Sequence, residues 1–172
     1  MEMLEMRLPK RIVTRFALLM AILATVGCDR VTKHMATSVL AGKPTQSFLA
    51  DTVRLTYSEN TGGFLSVGSS LPPSARTAIF TIGTGIILAA AILFAFRLRW
   101  TLWQSAGLAL FIAGGASNWI DRLLHGSVVD FMNVGIGSLR TGVFNVADVA
   151  IMAGIAMLLV SEFQNSKKEE TR

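Results

Sequence analysis

Charge is scarce in this chain. Only 16% of its 172 residues are Asp, Glu, Lys or Arg, against about 25% in an ordinary soluble domain. Cysteine is scarcer: the single Cys28 excludes any intrachain disulfide framework. Two histidines, His34 and His125, stand apart from each other and from Cys28. No HExxH or Cys/His cluster arises, so neither a zinc site nor another metal is expected. GxSxG and Walker sequences are also missing, so no cofactor is expected. What is abundant is hydrophobic: 52% of residues, with a mean hydropathy of +0.53. That composition excludes a disordered chain and most soluble enzymes.

The few charges are segregated. Residues 77–96 form an uncharged run of 20, and residues 100–120 one of 21. A hydrocarbon core of about 30 Å needs about 20 apolar residues in a helix, so both runs reach the length of a span. Residues 12–31 and 143–163 are also apolar, the latter interrupted by Asp148. Four transmembrane helices are therefore predicted, at about 12–31, 77–96, 100–120 and 143–163, within a single membrane-embedded domain over 1–172. The fold class is mainly α, a polytopic membrane protein. Excess basic residues (16 Lys and Arg against 11 acids) cluster in three places. These are Arg7, Lys10, Arg11 and Arg15; Arg97 and Arg99; and Lys167, Lys168 and Arg172. All three fall on one side of a four-span topology, the side that basic flanks mark as cytoplasmic. Both termini are then inside, and loops 32–75 and 121–142 are outside. The basic residues act as membrane anchors, and no nucleic-acid partner is expected, because no aromatic residues interleave with them as stacking platforms.

Residues 10–28, KRIVTRFALLMAILATVGC, also resemble a lipoprotein signal peptide in which Cys28 would carry lipid. Thr25 occupies the position where such signals favour a bulky aliphatic residue, and three further apolar segments follow. Cys28 is read as an ordinary helix residue.

In the first outer loop, Thr52 to Tyr57 alternates as a half-exposed strand does. Asn60-Thr61-Gly62-Gly63 is a turn signal. Phe64 to Val67 is expected to return as a strand, and Pro72-Pro73 closes the loop. In the second, Val128–Val134 and Leu139–Phe144 flank Gly135-Ile136-Gly137-Ser138, the pattern of a short hairpin.

Acids inside spans are expensive and mark function. At a rise of 1.5 Å per residue, Asp29 lies ~21 Å beyond Arg15, and Asp148 ~22 Å before Phe163. Both fall in the outer third of the bilayer. Asn118, Asp121 and Arg122 arrive at similar depth, with Asn118 and Asp121 sharing a helical face. Lys33, four residues after Asp29, is its natural partner. Asp130 lies outside the spans, and a hairpin between it and Asp148 would bring the two carboxylates together. Adjacent carboxylates share a proton, so one can act as base on a water while the other protonates a carbonyl oxygen. Asp29–Lys33 can equally be a structural ion pair, Asp121–Arg122 a helix-end pair, Asp148 a lone protonated core acid and Asp130 an exposed loop acid. Gly114-Gly115 reads as a close-packing position between helices. A small proton-coupled carrier using Asp148, or a non-catalytic membrane scaffold, are the competing functions. The short chain without a pseudo-repeat argues against the carrier.

Five elements together resemble the bacterial lipoprotein signal peptidases (signal peptidase II). Asp29-Arg30-Val31-Thr32-Lys33 resembles the family's D-x-x-[ST]-K, and Asn60-Thr61-Gly62 its N-x-G. Asn118-Trp119-Ile120-Asp121-Arg122 resembles N-x-x-D-R. Val128-Val129-Asp130-Phe131 and Phe144-Asn145-Val146-Ala147-Asp148 resemble V-x-D-F and F-N-x-A-D. The resemblance implies an aspartic endopeptidase of the bacterial inner membrane, multi-pass, with its active site near the outer leaflet. It would remove signal peptides from prolipoproteins just before the diacylglyceryl-modified cysteine. Asp130 and Asp148 would be catalytic. Asn60, Gly62, Asn118, Arg122 and Asn145 would position substrate or dyad, and Asp29, Lys33, Asp121 and Ala147 would support them. It also implies a β-rich external cradle, a short interfacial helix, membrane lipid as a partner, and inhibition by globomycin-like cyclic peptides. Three positions depart from the family pattern: Glu59 where an aromatic is common, a lone Gly63 before Phe64, and Ser117 where Gly usually precedes the Asn. A specialised paralogue is one reading of these changes.

Overall fold

The computed structural model describes residues 10–97 and 100–170. Of the basic residues that set the expected orientation, Arg7, Arg99 and Arg172 lie outside the described residues, as do the side chains of Lys10, Arg11, Arg97, Lys167 and Lys168; the Arg15 side chain is described and exposed. The protein is mainly helical with one small antiparallel sheet. Helix α1 (Lys10–Leu40) leads into strands β1 (Gln46–Phe48) and β2 (Val53–Asn60). A 3-10 turn (Phe64–Ser66) precedes a continuous helical rod: α2 (Pro73–Arg76), a π-helical segment (Thr77–Gly83) and α3 (Thr84–Arg97). Helix α4 (Leu102–His125), strands β3 (Val128–Ile136) and β4 (Leu139–Arg140), and helix α5 (Val146–Glu170) complete the chain.

Among the described residues, two helices are long and apolar enough to cross a membrane: Pro73–Phe96, with hydropathy 2.4, and Val146–Gln164, with 1.9. Ile79, Ile82, Ile86, Ile87, Leu93 and Phe94 on the first of these are all exposed, which suits a lipid solvent. Helices α1 and α4 carry Asp29, Arg30 and Lys33, and Asp121 and Arg122, within their length.

Several expected boundaries move. Helix α1 does not stop at 31 but runs on to Leu40, taking residues 32–40 out of the expected outer loop. The physical reason is a buried stripe that continues past the apolar run. Asp29, Lys33, Ala36 and Leu40 are all buried, at the spacing of one helical face. The helix ends where Gly42 takes a positive φ of 72° and Pro44 follows. Helix α4 likewise continues through Asp121–His125, so the second expected outer loop starts only at Gly126, whose left-handed φ of 74° caps the helix. At the other end, Thr101 and Gln104 form a capping box. Residues 143–145 precede α5 instead of belonging to it.

The expected strand at Phe64–Val67 is absent. The segment curls into the 3-10 turn, with Leu65 and Ser66 at positive φ (54° and 62°) and the Gly63 N–H donating to the Val67 carbonyl at 2.8 Å. It cannot return alongside β2, because β2 pairs with β1 on one side and β3 on the other, in the order β1-β2-β3-β4. The expected hairpin is present but tighter and shorter: β3 runs on through Gly135-Ile136, the turn is Gly137-Ser138 alone, and β4 stops at Arg140 instead of reaching Phe144, which pairs with Met132 only as an isolated bridge.

The sheet packs over the end of α1. Ala36, Leu40 and Phe131 form a buried cluster, flanked by Leu55, Tyr57, Val129, Met132 and Val146. Helices α4 and α5 approach at glycines. A Cβ on Gly107 would meet the Gly154 carbonyl at 3.0 Å, and one on Gly114 would collide with the Ala147 carbonyl and with Ile151. Small residues let two helix backbones come this close, as expected for Gly114.

Candidate active site

The site is built where β3 meets the start of α5. Phe144 pairs with β3: its N–H donates to the Met132 carbonyl at 2.8 Å, and its carbonyl accepts from the Met132 N–H at 2.9 Å. That bridge sets Asn145 beside Asp130. Asn145 then caps α5. Its Oδ1 accepts the Asp148 N–H at 2.9 Å, and the Asp148 Oδ2 accepts the Asn145 N–H at 3.1 Å. This is a reciprocal capping box, closed here by Asn and Asp. The same Asn145 donates Nδ2 to the Asp130 Oδ1 at 2.6 Å. One asparagine thus ties the two carboxyl groups together.

The remaining oxygens are also held by amides. Asn60 Nδ2 donates to the Asp130 Oδ2 at 2.9 Å, and Asn118 Nδ2 to the Asp148 Oδ1 at 2.9 Å. A carboxylate oxygen has two acceptor sites, so each of the four keeps one for a water or a substrate. Asn60 reaches Asp130 because of a bulge in β2. Leu55 pairs with Met132, but Ser58, not Tyr57, pairs with Asp130. The extra residue puts Ser58 and Asn60 on the Asp130 face, where Tyr57 and Glu59 would otherwise stand.

Behind the carboxyl pair lies a buried ionic cluster. Lys33 Nζ is within 2.6 Å of the Asp29 Oδ2 and donates to the Asn118 Oδ1 and the Asp121 Oδ2, each at 2.7 Å. All three ammonium protons are used. Asp29 is fully buried; its Oδ1 accepts the Ala147 N–H at 2.8 Å and its Oδ2 the Ser117 hydroxyl at 2.7 Å. A second anion therefore sits at the positive N-terminal end of α5. Asp29–Lys33 is an ion pair, as its spacing suggested, and it is wired to Asp148 through Asn118. Asp121 pairs with Lys33 and with Arg30 rather than with its neighbour Arg122. Arg122 turns the other way, donating Nη2 to the Gly62 carbonyl at 2.5 Å and Nη1 to the Asn118 carbonyl at 3.3 Å. Gly62 in turn donates its N–H to the Asn60 Oδ1 at 2.9 Å.

Every residue picked from the sequence for the site falls into this one constellation. Asp130 is 1% exposed, so it is not an exposed loop acid. Burial pushes its pKa up to about 6, with the Asp148 charge adding to the rise and the bonds from Asn60 and Asn145 opposing it. Two further residues join that sequence reasoning missed. Ser117, seen only as a departure from the family pattern, is a ligand of Asp29. Arg30 neutralises Asp121 and donates to the Ser117 carbonyl at 3.4 Å. Position gave a signal for Arg30, which follows Asp29 and stands three residues before Lys33; nothing local pointed to Ser117. His34, His125 and Cys28 are exposed and take no part. Among the described residues no group of three His, Cys, Asp or Glu side chains could hold a metal ion.

The signal peptidase (SPase) II family, Peptidase_A8, matches residues 21–164. A lipoprotein signal peptidase of Sphingopyxis alaskensis is 36% identical over 147 residues, 84% of this chain and 83% of that protein. One from Nostoc punctiforme is 34% identical over 138 residues, 80% of this chain and 84% of the other. Two solved bacterial membrane enzymes have the same fold. The first has a TM-score of 0.79 at 24% identity, covering 88% of this chain and 90% of its own. The second has a TM-score of 0.72 at 25% identity, covering 84% and 91%. The matched stretch contains every residue of the buried constellation, and the chain belongs to the signal peptidase II family of membrane peptidases.

Proposed function

We propose that this peptidase is an aspartic endopeptidase with Asp130 and Asp148 as its catalytic pair. It removes signal peptides from diacylglyceryl-modified prolipoproteins, cutting before the lipidated cysteine. The observation that carries this reading is Asn145, whose side-chain Nδ2 donates to the Asp130 carboxyl group and whose backbone N–H donates to that of Asp148. In the proposed step one carboxylate takes a proton from the attacking water while the other, protonated, gives its proton to the scissile carbonyl oxygen. The charge count supports a shared proton. The network holds four buried carboxylates (Asp29, Asp121, Asp130, Asp148) and three cations, Lys33 buried and Arg30 and Arg122 partly buried. One proton on the pair leaves the cluster neutral. Asn60, Asn118 and Asn145 orient the pair, and Arg122 with Gly62 positions substrate. Asp29, Lys33, Asp121 and Ala147 hold α5 and Asn118 in place.

In the same reading α1 and α4 join the two apolar helices as spans, giving four in one domain of the bacterial inner membrane. Both termini are cytoplasmic, and the site opens near the outer leaflet. Substrate then enters sideways from surrounding lipid, and globomycin-like cyclic peptides block the site. A carrier reading needs Asp148 alone and leaves the link to Asp130 without a role.

The test is cleavage of a purified precursor in detergent, with and without the diacylglyceryl group. The lipidated precursor is expected to yield a product whose mass begins at the modified cysteine. Equal cleavage of the unlipidated precursor, or a cut elsewhere, would refute the assignment of substrate.

A further inference from the structure

Beside the active site, between the start of the α2–α3 rod and the end of α4, lies a cleft of about 330 Å³. That is at the lower end of the range for ligand sites. Two guanidiniums line it, Arg76 from α2 and Arg122 from α4, and none of its lining side chains is acidic. Three hydroxyls, those of Thr61, Thr77 and Thr81, and the apolar Phe80 and Leu123 complete most of its wall.

The helix is reshaped where it lines this cleft. Thr77, Phe80 and Thr81 all belong to the π-helical segment, whose wider turn departs from ordinary α geometry. Such segments are rare and are found disproportionately at functional positions. The widened turn is held from outside: the Trp119 indole Nε1 donates to the Thr81 carbonyl at 2.8 Å, and the same ring lies against Gly85. The cations also have spare donors. Arg76 uses Nη1 for its bonds to the Thr61 hydroxyl (2.6 Å) and the Ser69 carbonyl (3.3 Å). The Arg122 Nε is buried and has no partner.

Depth adds the last constraint. Arg76 lies in the first turn of the apolar helix Pro73–Phe96. A charge at the end of a span sits among lipid headgroups. We propose that this cleft binds the phosphate of an anionic phospholipid, with the guanidiniums of Arg76 and Arg122 on the phosphate and Phe80 and Leu123 beside the glycerol and first acyl carbons. Planar guanidinium donors suit phosphate oxygens. The inference is independent of the catalytic pair, and its test reads binding instead of cleavage.

The full-length protein is placed in dodecyl maltoside micelles, which contain no phosphate, doped with either phosphatidylglycerol or diacylglycerol of the same acyl chains. Retained lipid is then measured by native mass spectrometry. The wild type is expected to keep phosphatidylglycerol in clear preference to diacylglycerol. Arg76→Gln should weaken that retention about tenfold, as loss of a charge-assisted contact does, and Arg76→Lys should fall between. In the same micelles, inorganic phosphate should compete with phosphatidylglycerol, since phosphate is the group recognised. Tight binding of inorganic phosphate without any preference for phosphatidylglycerol would assign the cleft to a soluble phosphate and overturn the lipid. Equal retention of phosphatidylglycerol and diacylglycerol by the wild type would overturn the site itself, even if Arg76→Gln failed to fold. So would a folded Arg76→Gln that keeps phosphatidylglycerol like the wild type.

Discussion

Asn145 and Asp148 hold each other. The asparagine side chain accepts the Asp148 N–H at 2.9 Å, and the aspartate side chain accepts the Asn145 N–H at 3.1 Å. A device that commonly starts a helix here also fixes an acid whose other oxygen faces Asn118.

Substitutions of Asn145 separate the two jobs. Asn145→Ala loses the cap, worth about 1 kcal/mol, together with the bond to Asp130. Asn145→Ser keeps a capping oxygen but removes the Nδ2 donor. Thermal melts should show the Ser variant more stable than the Ala variant. Both should lose about a hundredfold in cleavage rate, because the carboxyl pair is no longer tied together. Equal activity of Asn145→Ser and wild type would show that the tie is dispensable.

Lys33 stabilises through its buried partners. Lys33→Met strands the fully buried Asp29 without its cation, a change expected to cost about 3–5 kcal/mol. Adding Asp29→Asn should return part of that loss, since the uncompensated charge is gone. A double-mutant cycle in thermal or denaturant melts measures the coupling. Strict additivity would contradict the pairing.

Stability should vary with pH through Asp130. Its pKa is about 6 in the fold, against 3.8 ordinarily. The native state therefore binds more protons than the unfolded chain between these values. The contribution is complete below about pH 4 and is lost as pH rises through about 6. Asp130→Asn removes the titrating group. Melting temperatures of variant and wild type should diverge in the variant's favour from pH 4 to pH 7; a constant difference would contradict the raised value.

Gly114 couples packing to the site. A Cβ there would strike the Ala147 carbonyl, one residue from Asp148. Gly114→Ala should destabilise by about 1–3 kcal/mol, the usual cost of overpacking. It should also lower cleavage by displacing the first turn of α5. Gly126→Ala provides a contrast: nothing lies within 4 Å of its added Cβ, so only the strain at φ +74° remains.

Much of this arrangement was legible in the chain, for reasons that differ by residue. Asp29 and Lys33 are four apart on one helix, so their pairing follows from helical geometry. That a hairpin lies between Val128 and Phe144 follows from the glycines at its turn; its two-residue turn and two-residue β4 do not. The length of α1 did not follow, because its last turns are held by burial against a sheet whose residues come much later in sequence. Phe64–Val67 misled because its apolar run looks like a strand. Its backbone is instead bent by local contacts, with Leu65 packed on Gly142. Ser117 was opaque because its partner Asp29 is 88 residues away. The bulge in β2 was invisible for the same reason: it exists only relative to β3.

The most direct measurement is cleavage of a diacylglyceryl-modified precursor by purified Asp130→Asn and Asp148→Asn, each checked for a cooperative melt. The account predicts two folded proteins with no detectable product. Processing at the wild-type rate by either folded variant would contradict it.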